Sequence, residues 1–371
     1  MKKLGFGLMR MPLLDSRDST SIDIEQMKKM VDMFIERGFT YFDTAWMYHD
    51  FKSEDTVKEV LTDRYPRDAY TLATKLHAGF FETKEDIENV FNTQLKKTGV
   101  EFFDYYLLHD MNADYYEKYK SLNCFEWIQD KKAKGMVKNI GFSFHDTPEL
   151  LDKVLTEYPV FDFVQLQINY LDWDSVSIQS GRCYEVARKH DMPIVIMEPV
   201  KGGLLSSLPE DVSELMKAEH EDWSAAEWAI RFAAGLEGVM LVLSGMSSLE
   251  QLDDNTAFMS EFKELSQRDK DILKECVDII ESDVTVACTG CSYCTDGCAA
   301  SIPIPTYFSI YNTEKRIGPR PFSPEKNFYK KLAQERAAAS ECHECGQCEL
   351  ICPQHLPVMT LLKDVAAYFE E

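Results

Sequence analysis

Two cysteine runs near the end of the chain repeat one spacing: Cys288-x2-Cys291-x2-Cys294-x3-Cys298 and Cys342-x2-Cys345-x2-Cys348-x3-Cys352-Pro353. They contain eight of the 11 cysteines in the 371-residue sequence. Three thiolates at this spacing can bind one face of a cubane iron–sulfur cluster, and in two-cluster ferredoxins the fourth cysteine ligates the other cluster. The repeat therefore predicts a ferredoxin-like domain with two [4Fe-4S] clusters.

The crossed pattern assigns four ligands to each cluster. Cluster 1 takes Cys288, Cys291, Cys294 and Cys352, and cluster 2 takes Cys298, Cys342, Cys345 and Cys348. Zinc knuckles and disulfides are the alternatives, but zinc sites usually pair two CxxC units across a long gap. The remaining cysteines lie in apolar helical patterns and are expected to be buried as small hydrophobic residues: Cys124, Cys183 and Cys276.

The net charge of the chain limits the kinds of partner that it can bind. With 40 basic and 63 acidic residues the net charge is −23, which repels nucleic acid and acidic membranes. No apolar run approaches the roughly 18 residues of a membrane span. Thiolates that bind clusters must stay reduced, so we expect a cytoplasmic protein. The acidity suits either solubility or a face for a basic electron-transfer protein, and composition does not choose between them.

Upstream of the cysteines, short apolar runs alternate with amphipathic helical patterns. The runs predict eight strands: Leu4–Arg10, Phe39–Asp43, Ala69–Lys75, Phe103–His109, Val137–Ser143, Phe163–Gln167, Ile194–Glu198 and Val239–Ser244. This order is typical of a (β/α)8 TIM barrel. A doubly wound sheet is the alternative, but this sequence has no GxGxxG motif after the first predicted strand. We expect the barrel over residues 1–265. A connecting helix and a small, mainly helical ferredoxin-like domain should fill residues 266–371.

Polar residues end seven of the predicted strands: Asp43, Lys75, His109, Ser143, Gln167, Glu198 and Ser244. Barrel active sites are built at that rim. Asp43, Tyr48, Lys75 and His109 form a plausible catalytic set, in which Lys75 lowers the pKa of the Tyr48 hydroxyl, normally near ~10. Asp43 would hold Lys75, and His109 would hydrogen-bond a substrate carbonyl. The set predicts proton delivery to a carbonyl as hydride arrives.

These residues stand in motifs that resemble the aldo/keto reductases, and the cysteine runs match the branch with a ferredoxin-like domain. The matching stretches are Phe42-Asp43-Thr44-Ala45 with Tyr48, Thr74-Lys75, Leu107-Leu108-His109, Ile140-Gly141-Phe142-Ser143, Val164-Gln165-Leu166-Gln167, Met197-Glu198-Pro199-Val200-Lys201-Gly202-Gly203 and Gln251-Leu252-Asp253-Asp254-Asn255. The resemblance covers nearly the whole chain. It implies a barrel oxidoreductase with Asp43, Tyr48, Lys75 and His109 as catalytic residues.

The resemblance also implies a cofactor site, with one departure. NADPH-using members typically carry a Lys-Ser pair and an Arg where this sequence has Gly245-Met246 and Gln251. Because clusters move one electron and hydride transfer moves two, a bound FMN would couple the two modes. The alternative hydride carrier is NAD(P)H, either NADH or NADPH, bound at the family's usual site. The predicted cofactor residues are Ser143, Gln167, Glu198, Pro199, Lys201, Gly202, Gly203, Ser244, Gly245, Met246, Gln251 and Asn255.

The sequence thus favours an enzyme that interconverts a carbonyl compound and an alcohol and exchanges electrons through two clusters. A reductase with structural clusters, or a non-catalytic electron carrier or redox sensor, are the alternatives. Large apolar residues expected to line the pocket would favour a small, partly apolar carbonyl substrate: Trp46, Phe51, Phe80, Phe81, Met111 and Trp173.

Overall fold

The computed structural model describes residues 2–175, 178–282, 284–288, 290, 292–318, 320, 322–352 and 354–370. The chain forms two compact units, Met1–Trp173 with Gln179–Leu273 and Asp174–Ile178 with Lys274–Glu371. The division falls inside the helix Gln267–Ser282, after the predicted boundary at residue 265. The first half of this helix belongs to the first unit, where Asp269 pairs with His220 at 2.9 Å.

In the described part of the first unit, eight strands close into one barrel in sequence order, each parallel to its neighbours. This confirms the predicted (β/α)8 fold. The strands are β1 Leu4–Gly7, β2 Tyr41–Asp43, β3 Thr71–His77, β4 Phe103–Met111, β5 Val137–Phe144, β6 Phe163–Gln167, β7 Ile194–Met197 and β8 Val239–Ser244.

Three strands extend further than predicted: β3 and β4 by two residues each, and β5 by one residue to Phe144. β3 and β4 stay paired from Ala73 opposite Tyr105 to His77 opposite His109. Lys75 and His109 therefore lie inside strands, two residues before the ends of β3 and β4, rather than at their ends. The predicted strands ended at Lys75 and His109, whereas the backbone ladder continues past both residues.

The helices of the first unit follow the strands as the fold requires. Gly99 ends one of them at φ 69°, and Thr83 begins the same helix with a capping box to Asp86, as the spacing predicts. The helices are Ile24–Glu36, Tyr48–Phe51, Ser53–Val57, Lys58–Thr62 (π), Lys84–Thr98, Ala113–Ser121, Cys124–Ala133, Pro148–Glu157, Ser180–Lys189, Glu210–Glu219, Ala225–Ala234, Leu249–Ser260 and Gln267–Ser282, with 3-10 turns at Leu8–Arg10, Arg67–Ala69, Ala78–Phe80 and Lys201–Ser206.

The position of the polar residues follows from strand periodicity. A small buried apolar cluster contains Tyr41, Ala73 and Leu107, from three adjacent strands. Successive side chains of a strand point to opposite faces, so the residue two positions later shares the face. Asp43, Lys75 and His109 are therefore carried on this same face, one step nearer the C-terminal ends of the strands.

The second unit is mainly helical, as predicted, and has its own apolar core. Tyr307, Phe308, Val358 and Leu362 belong to that core. Its helices are Tyr293–Asp296, Ile304–Ile317, Pro324–Glu335, Gln347–Ile351 and Val358–Phe369, with a 3-10 turn at Ala339–Glu341. Among the described residues, no helix is long and apolar enough to cross a membrane.

Candidate active site

A buried ion pair occupies the rim of the barrel between β2 and β3. The Lys75 side chain is fully buried and its Nζ donates to Asp43 Oδ1, while a second hydrogen bond of 2.8 Å reaches the carbonyl oxygen of Thr44. Burial alone lowers the pKa of Lys75, but the attraction of Asp43 and Tyr48 outweighs it and the pKa is raised. Lys75 is therefore a fixed positive charge at neutral pH.

Tyr48 stands over this charge. The Lys75 Nζ lies 5.1 Å from the centroid of the Tyr48 ring. Burial raises the pKa of Tyr48, and Lys75 opposes that rise without reversing it. The predicted lowering by Lys75 is present, but burial is the larger effect, so the pKa of Tyr48 stays above its ordinary value. Lys75 still makes the phenol more acidic than it would be in the same pocket without the charge.

His109 completes the set on β4. Its ring lies 6.0 Å from the Tyr48 ring at an interplanar angle of 82°. Burial, and then the positive charge of Lys75, hold the pKa of His109 well below its usual range, so the imidazole is neutral at physiological pH. Within the described chain, the buried Nδ1 of His109 has no hydrogen-bond partner. A neutral imidazole beside a proton donor is suited to hydrogen-bonding a carbonyl oxygen.

The segment that follows Tyr48 is conformationally strained. His49, Asp50 and Phe51 all have positive φ, between 49° and 66°. Non-glycine residues adopt this region at a cost of roughly 1–2 kcal/mol each. The His49 ring holds the segment by accepting from the Met11 N–H at 3.3 Å and contacting the Ser19 carbonyl at 2.8 Å. The backbone is thus held in a costly conformation beside the predicted proton donor.

An arc of aromatic rings leads outward from Tyr48 and His109. Adjacent ring centroids are 5.2–5.8 Å apart along the series His109, His77, Phe80, Phe51 and Trp46. Phe51 and Phe80 are 36% and 38% exposed, so their faces are open to a ligand. Trp46, Phe51 and Phe80, which were predicted to line a pocket, are thus neighbours in this arc.

Three other predicted lining residues lie elsewhere. Phe81 and Met111 are buried in the apolar core. Trp173 packs against Tyr184 and Phe232, with its ring 2.9 Å from the position of a Cβ on Gly181. Their long-range packing partners could not be identified from local sequence.

His77 is a site residue that the sequence analysis missed. Its ring stands perpendicular to the His109 ring, and its Nε2 lies 3.7 Å from Asp110 Oδ2. His77 follows Lys75 by two residues on β3, so strand periodicity would have placed it on the same face. The early predicted end of β3 concealed that signal.

A buried polar network lies behind β3. Glu54 Oε1 accepts from Thr74 at 2.7 Å and from Gln94 at 2.8 Å, and Gln94 also donates to the Lys75 carbonyl at 3.0 Å. Tyr106 donates to Gln94 at 2.6 Å. Burial raises the pKa of Glu54. These contacts fix the backbone of Lys75 from the side opposite to its ammonium group.

Three of the predicted cofactor residues already form hydrogen bonds with other protein groups. Ser143 is buried and its hydroxyl accepts from the Asp110 N–H at 2.9 Å. Gln167 donates to Asp172 at 3.2 Å. Lys201 is buried and its ammonium donates to Asp172 Oδ1. This ion pair makes Lys201, one of the predicted cofactor residues, a poor ligand for a cofactor phosphate, because its charge is already balanced.

The predicted cofactor residues after β8 differ in their exposure to solvent. Met246 and Ser244 are buried, and Asn255 donates to the Ser244 hydroxyl at 2.9 Å. Gln251 is exposed and accepts from the Ser247 N–H at 2.8 Å. Met246 packs in the apolar core, and its role at the cofactor stays a prediction.

Arg10 supplies a cation that the sequence analysis did not assign. Its stem passes 3.2–3.3 Å from the position that a Cβ on Gly245 would take, and its Nη2 lies 3.2 Å from the same position on Gly202. Glu198 Oε1 is 3.8 Å from the guanidinium, and the Pro199 that follows is buried. Gly202 and Gly203 have φ of 67° and 103°. The Arg10 side chain thus lies along both glycine loops, with its stem at Gly245 and its guanidinium at Gly202.

The second unit contains two cavities lined by cysteine. One cavity is lined by Cys288, Cys294 and Cys352, and the other by Cys298, Cys342, Cys345 and Cys348. Cys291 lies outside the described residues. Each cavity draws one cysteine from the other run, which is the arrangement that crossed ligation requires. The cysteines that line the cavities fit two cubane clusters.

The other cysteines are buried in apolar surroundings, as expected. Cys124, Cys183 and Cys276 are at most 5% exposed. Burial raises the pKa of both Cys124 and Cys183 to about 12. Thiols of such high pKa are poor nucleophiles and poor metal ligands at neutral pH.

Comparison with known proteins agrees with this architecture. The sequence pattern of the aldo/keto reductase family matches residues 3–278, and that of the 4Fe-4S dicluster domain matches residues 287–356. The uncharacterized oxidoreductase YqkF of Bacillus subtilis is 24% identical over 272 residues, which are 63% of this chain and 83% of that protein.

Solved structures share the barrel fold. The holo form of the aldo-keto reductase AKR11C1 of Bacillus halodurans aligns with a TM-score of 0.60 at 23% identity, covering 74% of this chain and 91% of the other. An aldo/keto reductase of Klebsiella pneumoniae in complex with NADP and acetate aligns with a TM-score of 0.58 at 19% identity, covering 74% and 90%. With the family pattern matching residues 3–278, the chain belongs to the aldo/keto reductase family and is an oxidoreductase with a C-terminal 4Fe-4S dicluster domain.

Proposed function

We propose that the enzyme interconverts a carbonyl compound and an alcohol at the barrel rim and exchanges electrons through two [4Fe-4S] clusters. The observation that carries the first part is the buried Lys75–Asp43 pair beneath Tyr48, with neutral His109 alongside. The two cysteine-lined cavities carry the second.

The four side chains divide the work on the carbonyl group. Tyr48 donates a proton to the substrate oxygen, and Lys75 stabilises the phenolate that remains. Asp43 keeps Lys75 charged and in place. Neutral His109 donates a hydrogen bond to the same oxygen and orients the carbonyl toward the hydride source. The aromatic arc ending at Trp46 accommodates the apolar part of the substrate.

A nicotinamide cofactor is the leading hydride carrier. The Klebsiella pneumoniae relative was solved with NADP. In this chain Arg10 lies at the glycine loops after β7 and β8, where barrels of this type frequently bind phosphate. Successive backbone N–H groups in left-handed conformation add an anion-binding concavity. A bound dinucleotide would supply hydride, while Arg10 and these N–H groups would hold its phosphates.

FMN is the second candidate, and the dicluster domain is the observation that favours it. A flavin accepts one or two electrons, so it can exchange single electrons with clusters and a hydride with substrate. FMN carries a single phosphate and needs no 2′-phosphate clamp. Its phosphate would use the same two loops and Arg10. Ser143 keeps a hydroxyl donor and Gln167 an amide oxygen that could contact the ring of either carrier.

Tyr48→Phe removes the proposed proton and leaves the ring. General acid catalysis contributes roughly 100- to 10,000-fold, so carbonyl reduction should fall by at least about 100-fold in kcat. The measurement is steady-state turnover of an aldehyde by the anaerobic holoprotein, with iron content checked in parallel. Tyr184→Phe, which loses a hydroxyl bonded to the Glu237 carbonyl at 3.0 Å, is the matched control. Equal rates in the two variants would remove Tyr48 from the chemistry.

Arg10→Met tests the phosphate site and identifies the carrier. A hydrogen bond to a charged group contributes about 1.5–3 kcal/mol, so binding of the true carrier should weaken by about tenfold or more. Fluorescence titration with NADH, NADPH and FMN measures this directly. Arg17→Met, an exposed arginine paired with Asp15 at 3.1 Å, is the control.

Cofactor release complements the titration. Flavin near one per chain in the supernatant of denatured protein favours FMN, and saturable NADH or NADPH binding without flavin favours a nicotinamide. Unchanged binding of all three carriers in Arg10→Met would show that the phosphate lies elsewhere.

Cys298→Ser tests crossed ligation. It should damage the cluster held by Cys342, Cys345 and Cys348, with iron falling from about eight toward about four per chain. The EPR spectrum of the remaining cluster should match that of Cys342→Ser and differ from that of Cys288→Ser. The buried Cys183→Ser should retain both clusters. A match to Cys288→Ser instead would mean that each run ligates its own cluster.

A further inference from the structure

An exposed apolar pair lies between ligands of the two clusters. Leu350 is 87% exposed and Ile351 is 47% exposed, although both are large aliphatic residues. They end the helix Gln347–Ile351, which places them between Cys348 and Cys352. Cys348 lines one cysteine cavity and Cys352 the other. Leu350 follows Cys348 by two positions, and Ile351 directly precedes Cys352, so the pair lies close in sequence to a predicted ligand of each cluster.

The second cysteine run, which contains this pair, is also partly exposed to solvent. Cys345 is exposed, whereas Cys348 is 8% exposed, so the cavity with Cys298 and Cys342 has a ligand at the surface. Both cavities also contain buried apolar side chains, Phe308 and Val358 in one and Ile304 and Leu362 in the other. A cluster held by Cys345 would therefore have one ligand exposed to solvent.

The local charge is acidic. Residues 341–352 contain Glu341, Glu344 and Glu349 and no lysine or arginine. Lys363 pairs with Glu344 at 2.9 Å and balances its charge, so Glu341 and Glu349 carry the acidic character of the run. Glu349 accepts from the Met359 N–H at 3.0 Å, a neutral partner. Interfaces use an apolar centre for affinity and a charged rim for steering. A partner with a basic rim fits this face, and the net charge of −23 extends the attraction to long range.

We propose that Leu350 and Ile351, with the acidic residues of the second cysteine run, form the docking face for a basic one-electron carrier protein. The proposal rests on the proposed electron exchange through the clusters. One reduced cluster gives up one electron, and the partner's redox centre gains it, with no proton or atom transferred. An apolar contact beside a cluster ligand shortens the path for that electron by excluding water between the two centres.

The probe is cytochrome c, a basic haem protein that accepts one electron. Dithionite-reduced, desalted protein is mixed anaerobically with ferric cytochrome c, and haem reduction is followed by stopped flow. Leu350→Gln should lower the second-order rate constant about five- to tenfold, since truncating or polarising a central interface residue typically costs more than 1 kcal/mol. The wild-type rate should also fall as salt rises, because the attraction is electrostatic.

Two controls separate docking from cluster chemistry. Leu14→Gln changes the same residue type at a 76% exposed position of the first unit and should leave the rate unchanged. Ferricyanide, which needs no protein docking, should oxidise the clusters of every variant equally. Equal cytochrome c rates in Leu350→Gln and Leu14→Gln, or a wild-type rate that does not depend on salt, would overturn the docking face.

A binding measurement keeps the face testable by itself. Calorimetry with cytochrome c and oxidised protein should give weaker binding for Leu350→Gln than for Leu14→Gln. If ferricyanide withdraws no electrons from the reduced protein, the proposed function of the clusters fails, while the calorimetric comparison still supports or contradicts the docking face.

Discussion

The ion pair between Lys75 and Asp43 is the constraint on which the active site depends. Both groups are buried, so each is stable as a charge only because of the other and the Thr44 carbonyl. Removing one partner of a buried pair typically costs about 3–5 kcal/mol, since it leaves the other charge uncompensated. The barrel meets this requirement by placing β2 and β3 side by side, with both residues on one face.

The charge then determines what its neighbours can do. Lys75 is near enough to Tyr48 to stabilise its phenolate, and it helps to keep His109 neutral by repelling a second positive charge. The network of Glu54, Thr74 and Gln94 fixes the backbone behind Lys75, so the ammonium group cannot move away from this position. The proposed proton donor, the neutral imidazole and the fixed cation thus lie together where the aromatic arc begins.

Local sequence predicted most of the architecture because the relevant signals are periodic or closely spaced. The cysteine spacing predicted which residues line both cavities. The apolar runs between helical patterns predicted the position of every barrel strand. The predictions that failed depend on distant contacts. Nothing near Lys201 indicates that Asp172 balances its charge, and nothing near Arg10 indicates that Gly202 and Gly245 lie beside it. His77 was accessible to period-two reasoning but was lost with the early end of β3.

The pH dependence of carbonyl reduction tests the central claim most directly. His109 has a pKa well below 6.5, Tyr48 a pKa raised above 10.0, and Lys75 a pKa raised above 10.5. All three groups therefore keep their required protonation states between those limits. With saturating electron donor, kcat/KM for an aldehyde should be constant from pH 6.5 to 10. An inflection inside this range that disappears in Tyr48→Phe or His109→Gln would contradict the account.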